Sequence, residues 1–190
     1  CEHTLALLLS LCRNVPKAHQ SMLEGRWDRK LFMGTELRGK TLGVVGVGRI
    51  GGEVAKRAQA FEMNVLAFDP ILTKLKAEAL GVELVSLEDL IERSDVISVH
   101  APKSDKTANM IGYDEFKRMK PTCRIVNCAR GGIVNEKDLA KALQEGLIAG
   151  AALDVYTSEP FEDNPFLELD NIIMTPHLAA STDEAQLTVA

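Results

Sequence analysis

The sequence predicts a doubly wound α/β domain built on a parallel sheet, and three observations carry that prediction. From residue 41 onward, short apolar strands alternate with helical stretches. The strands are apolar along nearly their whole length instead of alternating with polar residues, which marks a sheet covered on both faces. Finally, a glycine turn, "GVGRIG", stands between the first strand and the helix that follows it.

Composition narrows the class further. The 190 residues, 46% of them hydrophobic, suffice for one good core. A formal net charge of −5 and a pI near 5.4 exclude a broad basic footprint for nucleic acid or an anionic membrane. The four cysteines (1, 12, 123 and 128) form no CxxC pair. Cys123 and Cys128 differ by an odd number, so in a strand they point to opposite faces. They read as buried, reduced thiols of a cytoplasmic protein. The opening "CEHTLALLLSLCRN" is too short to span a bilayer and lacks a cleavage-site pattern. It reads as a helix apolar nearly all round, buried on more than one side. The chain opens inside this helix without a Met, as an excised piece of a longer protein would.

Taken in order, "VPKAHQSMLEGRW" is a second helix with Pro16 near its start, and "DRKLFMGTELRGK" a charged connector. A strand follows at 41–46. Ile50, Val54 and Ala58 then share one face of a helix over 49–61. The second strand is "NVLAFD" (64–69). Ser86, with Asp89 three residues on, opens another helix in the manner of a capping box. Further strands are "DVISVHAP" (95–102), "CRIVNCA", "IAGAALDV" (148–155) and "NIIMTPH" (171–177). Asn135, with Asp138 at the matching offset, begins a helix. "STDEA" repeats the arrangement from Ser181 and starts a last helix over 181–190, which the chain cuts short.

The glycine turn carries the clearest chemistry. Gly46 permits the tight bend, Gly48 lets a pyrophosphate approach the backbone, and Gly51 lets helix and strand pack closely. The helix N-terminus adds unpaired N–H groups for phosphates. Asp69, 18 residues beyond Gly51, suits the ribose hydroxyls and repels a 2′-phosphate. Pro70 and Ile71 supply no replacement cation, so NAD is expected over NADP.

Ligands of such sheets lie outside the carboxyl ends of the strands. Reading each strand to its end gives Gly46, Asp69, His100–Pro102, Cys128–Arg130, Asp154 and His177 on one lip. Glu159 lies in a loop able to fold back over it. Hydride transfer from an alcohol needs a base for its proton, and histidine suits that task near neutral pH. A carboxylate on its other nitrogen fixes the tautomer, and an arginine fork orients a substrate carboxylate. His177, Glu159 and Arg130 fit these roles. A structural histidine and a surface Glu-Pro turn fit the same spacing. His100 is the competing base, with a buried structural histidine as its plainer reading. In an acidic chain, the lone "RGG" at 130–132 is a cation on a ligand lip and no RNA-binding repeat.

At these residues a resemblance enters. "LGVVGVGRIG…FD", "VNCARGGIVNE", "GAALDVYTSEP" and "TPHLAAST" together resemble the NAD-dependent D-2-hydroxyacid dehydrogenase family, covering about residues 41–182. The resemblance implies a Rossmann-type NAD-binding domain, with Arg130, Glu159 and His177 as the catalytic trio. It implies cofactor contacts at Arg49, Ile50, Asp69, Ala101, Cys128, Ala129 and Arg130, beside Pro102 on the same lip. Asp154 would lie near the nicotinamide carboxamide, with His177, Leu178, Ala179 and Ala180 completing the contacts. Ala101 stands where the family often has a hydroxyl, so only a backbone contact carries over. Glu62 stands where a turn glycine is usual. "FMGTEL" points within the family to a phosphorylated 2-hydroxy acid as substrate.

Residues 1–40 resemble a helical dimerisation segment and connector, and 41–180 the Rossmann core. The substrate-binding lobe is mostly absent from the chain. A homodimer or homotetramer is expected, with no metal, nucleic acid or membrane partner. Two alternatives stay open: a glyoxylate/hydroxypyruvate reductase type of the same family, and an NAD-sensing corepressor scaffold. Such scaffolds carry an aromatic pair after the matching histidine, where this chain reads "LAAST".

Overall fold

The computed structural model describes residues 1–189. Two helices, α1 (Glu2–Cys12) and α2 (Val15–Leu23), and a 3-10 turn (Arg29–Phe32) precede the sheet. The strands are β1 (Thr41–Val45), β2 (Asn64–Phe68), β3 (Glu83–Leu84), β4 (Val96–Val99), β5 (Arg124–Asn127), β6 (Gly150–Leu153) and β7 (Ile172–Met174). Between them run α3 (Arg49–Ala60), α4 (Lys74–Leu80), α5 (Leu87–Arg93), α6 (Tyr113–Arg118) and α7 (Glu136–Gln144). A last helix, α8 (Asp183–Val189), follows β7.

All seven strands lie in one sheet of order β3-β2-β1-β4-β5-β6-β7, every pairing parallel. The order reverses between β1 and β4, and this switch point puts a crevice at their carboxyl ends. Successive strand residues point to opposite faces, so the apolar runs feed two cores. Ile97, Ile125 and Leu153 face α5, α6 and α7 through Leu90, Phe116 and Leu139. Leu42, Val126 and Ala152 face the other side, with α1 and α3 through Leu8, Val54 and Ala58. Cys123 lies in the first cluster and Cys128 packs on the second, as their odd spacing requires. Helix α1 buries Leu5, Leu7, Leu8 and Leu11 on more than one side. Gly43 lets α5 sit directly on β1, since a Cβ there would stand 2.3 Å from Ser94 Oγ and 2.6 Å from Leu90.

The caps explain where the helices start. Ser86 Oγ accepts from Asp89 N–H, and Asn135 Oδ1 from Asp138 N–H, each at 3.1 Å. For α8 the cap is Thr182, whose Oγ1 accepts from Ala185 N–H; it is not Ser181, because the helix begins one residue later than its pattern suggested. The 181–190 reading of that helix also takes in residue 190, which lies outside the described residues. Four elements escaped the sequence reading: the 3-10 turn, α4, β3 and α6, all of seven residues or fewer and too short to show a period. Glu62 takes a left-handed φ of 58° just after α3, the position where a glycine was expected.

Candidate active site

The glycine loop lies at the switch point, between β1 and the first turn of α3. Gly46 has φ +89° and packs against the chain leaving β4; a Cβ there would meet Ala101 N at 2.8 Å. A Cβ on Gly51 would come to 2.1 Å from the Gly46 carbonyl oxygen, so α3 is seated directly on the loop. Gly48 differs: a Cβ there would meet nothing within 4 Å. Its exposed backbone, with the first amides of α3 behind it, is the surface a pyrophosphate needs. Exposed Arg49 and Ile50 flank it.

Asp69 stands one residue beyond β2. Its Oδ2 accepts from Val47 N–H at 2.8 Å, and Oδ1 from Ile71 and Leu72 N–H at 2.8 and 3.2 Å. The carboxylate therefore braces the glycine loop. Across the switch point, Ala101 is buried and Pro102 exposed. His100 bonds Ser98 Oγ through Nε2 at 2.8 Å, and burial lowers its pKa to about 4. At that value the ring is a weaker proton acceptor than an ordinary histidine, and its Nε2 is engaged with Ser98, which favours the structural reading.

His177 and Glu159 meet at the opposite end of the lip. His177 Nδ1 lies 2.6 Å from Glu159 Oε2, while Glu159 Oε1 accepts from Tyr156 N–H at 2.8 Å. The hydrogen bond to His177 holds the Glu159 carboxyl below the usual carboxylate range, against a smaller opposing effect of burial. The pairing places the neutral histidine's proton on Nδ1, leaving Nε2 free to take a proton. Tyr156, Phe161 and Pro176 line an apolar cavity beside the pair, of about 310 Å³. The Tyr156 and Phe161 rings pack in a tilted arrangement, 4.3 Å between centroids.

Arg130 is exposed on the turn after β5, its Nη1 donating to the Ala129 carbonyl at 2.6 Å. Among the described residues it has no carboxylate partner. Buried Asn127 staples this turn: its amide donates to the Arg130 carbonyl and its oxygen accepts from Ala129 N–H, both at 3.0 Å. Gly131 lets the turn pass the Tyr156 backbone, where a Cβ would sit 1.9 Å away. Cys128, half-buried beside them, has its thiol pushed up to about 11 by burial.

Asp154 is fully buried at the end of β6. It accepts from Leu178 N–H at 2.7 Å and Ala179 N–H at 2.9 Å, tying the segment after His177 to the sheet. Sequence reasoning missed Asn127, Thr175 and His3, all of which hold the lip from behind. An amide inside the apolar run "IVNCA" was the available signal for the first. Thr175 and His3 gave none, because they meet only in the fold.

Comparisons with known proteins identify the family. The family model described as "D-isomer specific 2-hydroxyacid dehydrogenase, NAD binding domain" matches residues 5–179. The chain is 55% identical over 189 residues to the D-3-phosphoglycerate dehydrogenase of Archaeoglobus fulgidus, covering 99% of this chain and 36% of that protein. It is 50% identical over 185 residues to the enzyme of the same name from Rattus norvegicus, covering 97% and 35%. The chain thus spans about a third of the length of the curated relatives it matches. Among solved structures, the NAD-dependent formate dehydrogenase from Staphylococcus aureus in complex with NAD superposes with TM-score 0.89 at 36% identity, over 99% of this chain and 57% of that one. Apo D-lactate dehydrogenase from Escherichia coli gives 0.90 at 32%, over 99% and 59%.

Proposed function

The chain belongs to the D-isomer specific 2-hydroxyacid dehydrogenases, as their NAD-binding domain, and from that premise we propose that it serves a full-length enzyme oxidising 3-phosphoglycerate to 3-phosphohydroxypyruvate. Such a reaction would open a route to serine. NAD, when bound, supplies the hydride acceptor. Gly46, Gly48 and Gly51 admit its pyrophosphate to the backbone, with Arg49 and Ile50 beside them, and Asp69 takes a ribose hydroxyl. Ala101, Pro102, Cys128, Ala129 and the Leu178–Ala180 segment flank the rest of the cofactor, with Asp154 buried behind that segment.

The proton is the work of His177. Its Nε2 removes the hydroxyl proton as the carbon–oxygen double bond forms, and Glu159 stabilises the resulting imidazolium across the Nδ1 bond. Arg130 offers its guanidinium to the substrate carboxylate and 2-oxygen. The observation that carries this reading is the His177–Glu159 contact of 2.6 Å, made between two loops that meet only at the ligand lip. The names of the relatives support phosphoglycerate as the substrate.

Residues 1–40 contribute to a homodimer or homotetramer in this reading. Support comes from a run of exposed apolar side chains there, including Met22, Leu23, Trp27, Leu31 and Met33, at 53–81% exposure. Four free cysteines are consistent with a cytoplasmic location. No described helix is long and apolar enough to cross a membrane. The test is NADH formation by the full-length protein with 3-phosphoglycerate, set against reduction of glyoxylate and hydroxypyruvate. Preference for 3-phosphoglycerate supports the reading; preference for an unphosphorylated acid replaces the substrate; no turnover with any of them favours a binding scaffold.

A further inference from the structure

We infer that His3, on the first turn of α1, is a positioning residue for the segment that carries His177. Its ring is 151 residues from Asp154 in sequence, yet Nε2 lies 3.1 Å from Asp154 Oδ1 and 3.0 Å from Thr175 Oγ1. Thr175 Oγ1 donates its own proton to the same Oδ1 at 2.5 Å, so Nε2–H is the donor from the ring. Asp154 has no exposed surface, and a buried carboxylate is tolerated only when donors meet it.

The donors divide the labour. Leu178 N–H also reaches Oδ1, while Ala179 N–H reaches Oδ2. Both backbone groups are met together in one rotamer of Asp154. His3 and Thr175 fix that rotamer from behind. The segment needs fixing because His177 has φ +55°, a conformation that a non-glycine residue keeps only when its surroundings over-determine it. The line of force runs from the buried helix α1 through His3 and Asp154 to the two amides after the base. Its catalytic consequence rests on the proposed role of His177; its structural part does not.

The test uses the full-length protein with His3→Leu, which removes the N–H, and His3→Gln, whose amide returns a donor at the same reach. Two quantities are read: hydrogen exchange of the Leu178 and Ala179 amides, and kcat against KM for the hydroxy acid. For His3→Leu we expect exchange at both amides to rise about tenfold and kcat to fall about tenfold, as loss of one buried hydrogen bond implies, with KM changed less than about twofold. His3→Gln should restore both to near wild type. Unchanged exchange in His3→Leu overturns the inference whatever happens to turnover. Faster exchange with kcat intact overturns its catalytic half and leaves the role of His177 to the His177→Ala measurement. Should His3→Leu fail to fold, His3→Gln against His3→Asn carries the same test, since the shorter amide does not reach Asp154.

Discussion

Glu159 and His177 lie 18 residues apart in sequence, and their side chains meet at 2.6 Å, Oε2 to Nδ1. Glu159 is itself pinned by Tyr156 N–H, so the carboxylate is aimed before any substrate arrives. Glu159→Gln keeps the shape and removes the charge that stabilises the imidazolium. Its kcat should fall roughly 100-fold, the scale of acid–base assistance, with NADH affinity unchanged. Steady-state kinetics beside a fluorescence titration of NADH checks this, and matched losses in both would argue for a structural role.

The glycine loop offers a sharper contrast. Gly48→Ala places a Cβ where nothing lies within 4 Å, so the fold should be unaffected while NADH binding weakens about tenfold or more. Gly51→Ala forces a Cβ to 2.1 Å from a backbone oxygen, and should cost roughly 2 kcal/mol or more of stability. Thermal unfolding and calorimetric titration of the pair separate the two roles. Stability lost in Gly48→Ala would mean that the loop is packed, not open.

His100 makes stability depend on pH. Burial lowers its pKa to about 4, below the ordinary histidine value of about 6.5, so the unfolded chain binds a proton that the folded protein refuses. Its contribution is complete above about pH 6.5 and is lost as pH falls toward 4, by about 2 kcal/mol between pH 7 and pH 5. His100→Asn should flatten the dependence over that interval. Urea unfolding of both proteins at several pH values measures it, and parallel curves would contradict the buried neutral ring.

Much of this was legible in the sequence for identifiable reasons. The strands read clearly because a parallel sheet covered on both faces demands continuous apolar runs, as "TLGVV" and "RIVN" show. Gly46, Gly48 and Gly51 read clearly because a strand and a helix bracket them. The short elements α4, β3 and α6 did not, since each offers too few residues for a period. His100 is ambiguous in sequence because strand-end histidines serve either purpose; its bond to Ser98 and its lowered pKa favour the structural one. The sequence presents Asp69 only as a candidate ribose ligand, whereas the structure shows three backbone N–H groups bonded to it. His3 had no local pattern to announce it, for its meaning lies wholly in a contact 151 residues away.

His177 is the group proposed to move the proton. The most direct measurement is kcat for phosphoglycerate oxidation by full-length His177→Ala, beside its dissociation constant for NADH. With His177 as the base, kcat should fall about 100-fold or more while NADH affinity stays within about twofold of wild type. Equal losses in turnover and NADH binding, or a variant that turns over normally, would contradict it.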